Sequence, residues 1–285
     1  MSVNNSFNRW KIASKAWNMK KILTIAGSDS SGGAGIQADL RTFAKHNLYG
    51  FCSLTVIVTM DPDNNWGHGV FPIDIATIDA QIRTAIDGVG VDAIKLGMLP
   101  TPEIISHVSE KLEALHGKQP VVVDPVMVCK GDKPLFPEHA IAIKEQLIKY
   151  ATVTTPNLFE AAQLAGMDKI SNYDEAVLAA EKIMALGCGA VAITNVGSVM
   201  EPKTSADLFY DGEELLLLEG AFVDTHHTHG LGCTFAAHVA ANLCKGLSKR
   251  ESVVLAKEAI RAGVKKHFAL NQYVGTLDFE ESFKI

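Results

Sequence analysis

The sequence predicts an α/β protein, a three-layer α/β/α sandwich on a mainly parallel central sheet with a small hairpin at its edge. Three observations predict it. Short apolar, β-branched runs recur along the chain, amphipathic stretches separate them, and one late pair of runs flanks a tight turn instead of a helix.

The first apolar run covers residues 22–26, and the stretch behind it places Ile36, Leu40 and Phe43 on one helical face. Runs at 53–59, 93–96, 121–124, 152–155 and 190–194 are long enough for buried strands and too short for helices. Before the last of them, Ala176, Ala180, Ile183 and Met184 form another helical face. Strand and helix in alternation imply parallel neighbours, because the crossover helix returns the chain to the same end of the sheet. Residues 208–210 and 215–218 flank Asp211-Gly212-Glu213-Glu214, whose turn chemistry predicts an antiparallel hairpin. Two helices close the chain. The first carries Cys233, Ala236, Ala237, Ala240, Ala241 and Cys244 at helical spacing, and the second Val253, Ala256, Ala259, Ile260 and Val264.

Neither repeat nor linker divides this pattern, so residues 19–285 read as a single domain. Residues 1–18 hold Arg9, Lys11 and Lys15 with no acid and no apolar h-region, and they read as a flexible N-terminal extension. A formal charge of -6 argues against a nucleic-acid partner, which needs clustered Lys and Arg. No apolar run approaches the roughly 20 residues that span a bilayer, so no membrane partner is expected. The 5 cysteines form no CxxC pair and no disulfide framework, which fits a reducing cytoplasm.

Parallel sheets bind ligands where strand ends feed helix N-termini. The first such end is glycine-dense, running from Gly27 to Gly35, and Asp39 follows one turn into the helix, placed to accept a hydrogen bond from a substrate hydroxyl. A Rossmann loop competes, but GxGxxG is out of register. A Walker A loop fails because Gly33-Ala34 stands where Lys and Ser/Thr are required. A purely structural turn stays open. The second feature is the stretch from His226 to Thr234, where Gly230-Leu231-Gly232 opens a helix and can arrange amides as an anion nest. Cys233 at that helix start is expected to feel a field favouring thiolate, with His229 beside it. His226, His227 and His229 match no familiar metal spacing. Asp124 at one strand end, with Asn157 and Glu160 at the next, could order a hydrated magnesium ion beside a triphosphate. Pro156-Asn157 with Glu160 reads equally as a plain helix start.

With those residues in place, the chain resembles the ribokinase-like superfamily, in the branch of bacterial hydroxymethylpyrimidine (phosphate) kinases and pyridoxine/pyridoxal kinases. "AGSDSSGGAGIQADL" at 26–40, "KLGML" at 95–99, "VVDPVMV" at 122–128, "TPNLFEA" at 155–161 and "HGLGCTFAA" at 229–237 carry the resemblance. It implies a ribokinase-like fold, ATP with Mg2+ as donor, an accessory monovalent cation, a small-molecule acceptor and a homodimer. It implies that Gly27, Ala34, Asp39, Met60, Met98 and Val126 hold the acceptor ring. Gly230, Leu231, Gly232, Thr194 and Asn157 would meet the phosphates, and Asn157, Glu160 and Asp124 would serve the metal. Cys233 falls in the slot where related kinases carry an aspartate base, so Cys233, His229, Gly230 and Gly232 are the expected catalytic set.

Position 60 separates the substrates. Pyrimidine kinases of the branch typically carry Gln there, whose amide can read an aminopyrimidine edge; Met60 cannot, and its thioether suits a substituted pyridine ring. The expected activity is therefore phosphorylation of pyridoxal, pyridoxine or pyridoxamine at the 5'-hydroxymethyl group. A hydroxymethylpyrimidine (phosphate) kinase is the alternative, a non-catalytic pyridoxal or nucleotide sensor the second. Two departures from the family bear on activity: Asn195-Val196 replaces a common Gly-Gly, and Leu231 replaces a smaller residue.

Overall fold

A computed structural model describes residues 19–115, 117–127 and 137–283. The expected extension at 1–18 and the end of the "VVDPVMV" motif at 128 lie outside the described residues, as does Cys129. The chain opens with β1 (Lys21–Asp29), α1 (Gly35–Lys45), β2 (Tyr49–Asp61), β3 (Gly67–Pro72) and α2 (Ile75–Arg83). It continues through β4 (Ala93–Leu96), α3 (Pro102–Glu113), β5 (Val121–Val123), α4 (Pro137–Ala142), β6 (Val153–Thr154), α5 (Leu158–Ala165), α6 (Tyr173–Met184) and β7 (Val191–Ile193). The hairpin β8 (Ser205–Tyr210) and β9 (Leu215–Gly220) precedes α7 (Leu231–Cys244), α8 (Lys249–Val264) and a second, small hairpin of β10 (Phe268–Ala269) and β11 (Gly275–Thr276).

One sheet holds nine strands in the order β3-β2-β1-β4-β5-β6-β7-β8-β9. The run from β2 to β7 is parallel, and β3, β8 and β9 join antiparallel. Every expected strand is present, but β1 and β2 extend well past their apolar runs, so Gly27 to Asp29 and Met60 belong to strands. Sequence reading expected one edge hairpin; β2 and β3 make another at the opposite edge. Alternation divides the strand residues between two faces. Leu23, Ile25, Ile94 and Leu96 pack with Ile78 and Ile82 of α2, Ile105 and Val108 of α3, and the inner faces of α5 and α6. Ile22, Ala93, Val122 and Val153 point the other way, onto Phe43 of α1, Val253 of α8 and the alanine-rich α7. These two cores make the three layers, and they leave the carboxyl edge of the parallel strands open at one end.

Candidate active site

Six parallel strands deliver residues to one cavity of about 250 Å3 at that edge. Gly27 and Asp29 reach it from β1, Met60 from β2, Lys95 and Met98 from β4 and its exit, Asp124 and Val126 from beyond β5, and Asn157 and Thr194 from beyond β6 and β7. Residues 228–233 complete the wall. Val56, Val58 and Met98, with Met60 and Val126 packed on them, form its apolar corner. Met60 is thus both part of a packed cluster and a lining residue.

The glycine-dense loop and the turn before α7 touch. A β-carbon on Gly33 would sit 2.5 Å from Cδ2 of His229, and one on Gly230 would collide with the Gly33 carbonyl oxygen. Gly230 also holds φ +76, a left-handed conformation that glycine adopts without penalty. His229, buried, brings Nε2 to 2.7 Å from Oδ2 of Asp29. Its imidazole is therefore turned to the first loop and joins two segments 200 positions apart. Desolvation works against the charge of Asp29, but hydrogen bonds from His229 and Ser31 outweigh it and hold the carboxyl down at about 2.

Behind the wall lies a buried charge cluster. Lys95 and Asp39 are both 0% exposed, with Nζ 3.1 Å from Oδ2. Thr24 Oγ1 donates to the same oxygen at 2.6 Å. Asp39 does not line the cavity: the hydroxyl contact expected of it is replaced by anchoring Lys95, whose ammonium does reach the site. Burial opposes that charge, yet Asp39, Cys233 and Asp124 raise the lysine above its ordinary value. Nζ is also 3.8 Å from Asp124 Oδ2, a buried oxygen with no hydrogen-bond partner. Burial, with the Asp39 charge adding and Lys95 opposing, lifts Asp124 to about 6. Burial and the Asp124 charge lift Glu160 to about 8.

Glu160 spends its oxygens locally. Oε2 accepts from Asn157 N at 2.9 Å, Oε1 from Met127 N at 3.3 Å, and Asn157 Oδ1 accepts from Glu160 N at 3.0 Å. The plain helix start is therefore realised as a reciprocal cap of α5. Cys233 departs from expectation. Burial, reinforced by Asp124 and Asp39 and opposed by Lys95, pushes its thiol up to about 12, so a neutral thiol stands where a thiolate was expected. The three histidines also separate: His227 Nδ1 lies 2.7 Å from Nδ1 of His267, His229 faces Asp29, and His226 is exposed. Among the described residues no cluster of three or more His, Cys, Asp or Glu side chains could hold a metal ion.

A second cavity of about 510 Å3 adjoins the first and shares Asn157, Thr194, Leu231 and Gly232 with it. Asn195 takes φ +63 at its rim, a left-handed conformation asparagine tolerates, and donates its amide to Asp207 Oδ1 at 2.8 Å. Lys257 pairs with Asp207 at 2.9 Å. The missing Gly-Gly is thus accommodated without closing the groove. Leu231 stands between the two cavities. Apart from Asp39, every residue picked from the sequence lines one or both of these cavities. Lys95 and Asp29 were missed as individual residues although both lie inside quoted motifs; a lysine in an apolar strand carried the available signal.

The sequence model of the family described as phosphomethylpyrimidine kinase matches residues 29–278. Pyridoxine kinase of Bacillus subtilis (strain 168) is 56% identical over 259 residues, covering 90% of this chain and 95% of that protein. The structure of the pyridoxal kinase from Staphylococcus aureus in complex with AMP-PCP and pyridoxal aligns with a TM-score of 0.87 at 42% identity, covering 94% of this chain and 96% of that one. The hydroxymethylpyrimidine/phosphomethylpyrimidine kinase of Bacillus subtilis (strain 168) is 39% identical over 246 residues, 86% of this chain and 89% of that protein.

Proposed function

The chain belongs to the phosphomethylpyrimidine kinase family, and we propose that within it this protein is an ATP-dependent B6 vitamer kinase, phosphorylating the 5'-hydroxymethyl group of pyridoxal, pyridoxine or pyridoxamine. The observation that carries this reading is the contact between the glycine-dense loop and the Gly230–Cys233 turn beside two adjoining cavities, a smaller one with an apolar corner and a larger one. The first suits a methylated pyridine ring against Met60, Met98 and Val126; the second suits a nucleotide whose terminal phosphate lies over the α7 amides. Higher identity to the pyridoxine kinase than to the pyrimidine kinase, and Met60 in place of an amide, favour the vitamer over the pyrimidine.

In this reading the amides of Gly232 and Cys233 cradle the transferring phosphoryl group; Cys233, neutral at rest, first gives up its own thiol proton to solvent, and its Sγ, as thiolate, then receives the hydroxymethyl proton. Lys95 supplies the fixed positive charge that opposes the carboxylates raising that thiol. The donor set fits magnesium: Asp124 Oδ2 is buried with no hydrogen-bond partner, and the Asp124 and Glu160 carboxyls are raised by burial and by neighbouring carboxylate charge that a cation relieves. Asp124 would hold the ion, with Asn157 and Glu160 acting through water, since their own oxygens are occupied by the cap. When bound, the ion supplies charge neutralisation on the phosphate oxygens.

No described helix is long and apolar enough to cross a membrane. Free Cys52, Cys188, Cys233 and Cys244 support a reducing cytoplasm, and the exposed Val70 and Phe71 on edge strand β3 support a homodimer that covers them. The deciding experiment is ATP-dependent phosphorylation of the three B6 vitamers and of hydroxymethylpyrimidine, with magnesium or potassium omitted in parallel. A vitamer kcat/KM above that of the pyrimidine is expected. Binding without turnover would make the protein a sensor instead. Cys233→Ala should lower kcat about 100-fold, the scale of general-base catalysis; near-normal turnover would remove Cys233 from the chemistry.

A further inference from the structure

Asp29 ends β1, and only 5% of its surface is exposed. Its Oδ1 accepts from the Ser31 amide and the Ser31 hydroxyl, each at 2.8 Å. The other oxygen, Oδ2, accepts from the Ala34 amide at 2.7 Å and lies 2.7 Å from Nε2 of His229. Three of these bonds wrap the glycine-dense loop around the carboxylate. The fourth leaves the loop altogether.

His229 is gripped from its other side too. Its amide donates to Gly275 O at 3.0 Å, and Thr276 Oγ1 donates to its carbonyl at 2.9 Å. The residue immediately precedes Gly230, so where the imidazole is held decides where α7 and its free amides begin. Simple packing would be met by two apolar side chains at this contact. A buried carboxylate with four directed donors fixes angle as well as distance, and its members reinforce one another in the low-dielectric interior.

We propose that Asp29 is a positioning residue for phosphoryl transfer: through His229 its carboxylate sets the offset between the turn that receives the donor's anion and the loop that receives the acceptor. This rests on the kinase reading above. The two loops have no covalent connection nearby, and transfer rates respond to misplacements of about 1 Å by as much as ~100-fold. A carboxyl held near 2 stays ionised throughout the neutral range, so the tie persists wherever the enzyme works.

The test compares Asp29→Ala, His229→Ala, the double variant and His229→Gln, with pyridoxal and MgATP as substrates and circular dichroism as the check of folding. Each alanine variant should lose roughly 10- to 100-fold in kcat while both KM values move less than about 3-fold. The double variant should be no worse than the poorer single one, because both remove the same tie. His229→Gln, whose amide nitrogen can donate from the place of Nε2, should recover at least ~10-fold over His229→Ala. Amide hydrogen exchange should quicken at residues 228–234 in Asp29→Ala and at 30–35 in His229→Ala. Single variants with wild-type kcat, losses that multiply in the double variant, or a rise in KM alone would overturn the proposal. Should Asp29→Ala fail to fold, the two His229 variants decide the question between them. If the wild-type protein phosphorylates no vitamer, the kinase reading falls, and unchanged exchange at 228–234 and 30–35 would sink the tie separately.

Discussion

Helices α5 and α7 both start at the carboxyl edge of the sheet, and they treat their first-turn amides in opposite ways. At α5 the side chains of Asn157 and Glu160 close a reciprocal cap. At α7 the capping position is Gly230, which has no side chain to offer. The contrast extends across the fold. Asp74, Thr101, Asn172 and Ser248 cap α2, α3, α6 and α8, whereas α1, preceded by Ala34, has no side-chain cap. Ala34 and Gly230 are also the two that line the first cavity without a cap of their own. A cap satisfies orphan amides and stabilises the helix; an end left open keeps those donors for a ligand. At the cavity edge this protein leaves the starts of α1 and α7 bare, while the start of α5, which lines the same cavity, is closed by its own side chains.

The severest way to break this arrangement is to remove the charge between the two bare starts. Lys95→Met leaves Asp39 buried without its counter-ion and should cost about 3–5 kcal/mol in chemical unfolding. Adding Asp39→Asn should return part of that loss; an unchanged unfolding midpoint for the single variant would deny the pair any structural role.

Next comes the open end itself. Gly230→Ala forces a β-carbon against Gly33 and into a left-handed conformation, so the donors move and kcat should drop about 100-fold, as when an oxyanion donor is removed. Equal kcat for the variant and wild type in the vitamer assay would contradict the role given to this turn.

A smaller effect is expected in acid. The folded value of Asp29, about 2, lies below its ordinary 3.8, so the native state binds the proton less tightly than the unfolded chain. Its stabilisation is complete above about pH 4 and is lost as pH falls through 2, amounting to about 2 kcal/mol at 1.36 kcal/mol per unit. Urea titrations across that window should show a shallower decline for Asp29→Asn.

Smallest is the closed end. Asn157→Ala should lower stability by about 1 kcal/mol, the usual worth of an N-cap. A melting temperature equal to wild type would erase the distinction between the two helix starts.

Much of this was legible from the chain, because a parallel sheet sends every strand's exit to the same edge and the polar residues at those exits are countable in sequence. Strand β3 was not legible. Its Gly67-His68-Gly69-Val70-Phe71-Pro72 segment carries glycines and a proline that weaken any strand signal. Pairing with the overlong β2 makes it a strand, at an edge where proline's missing donor is harmless. Lys95 was hidden for a related reason, since an apolar run with one lysine does not show what lies above it.

Sequence by itself determined the layers, the strand exits and the set of residues gathered around the cavities, since periodicity and glycine placement act locally. Tertiary structure alone decided which of those residues face a ligand and which face one another. Asp39 turned inward to Lys95 across 56 positions, and Asp29 outward to His229 across 200. The physical reason is that a buried charge takes its partner from whatever the fold brings within about 3 Å, and that distance is set by packing rather than by spacing along the chain.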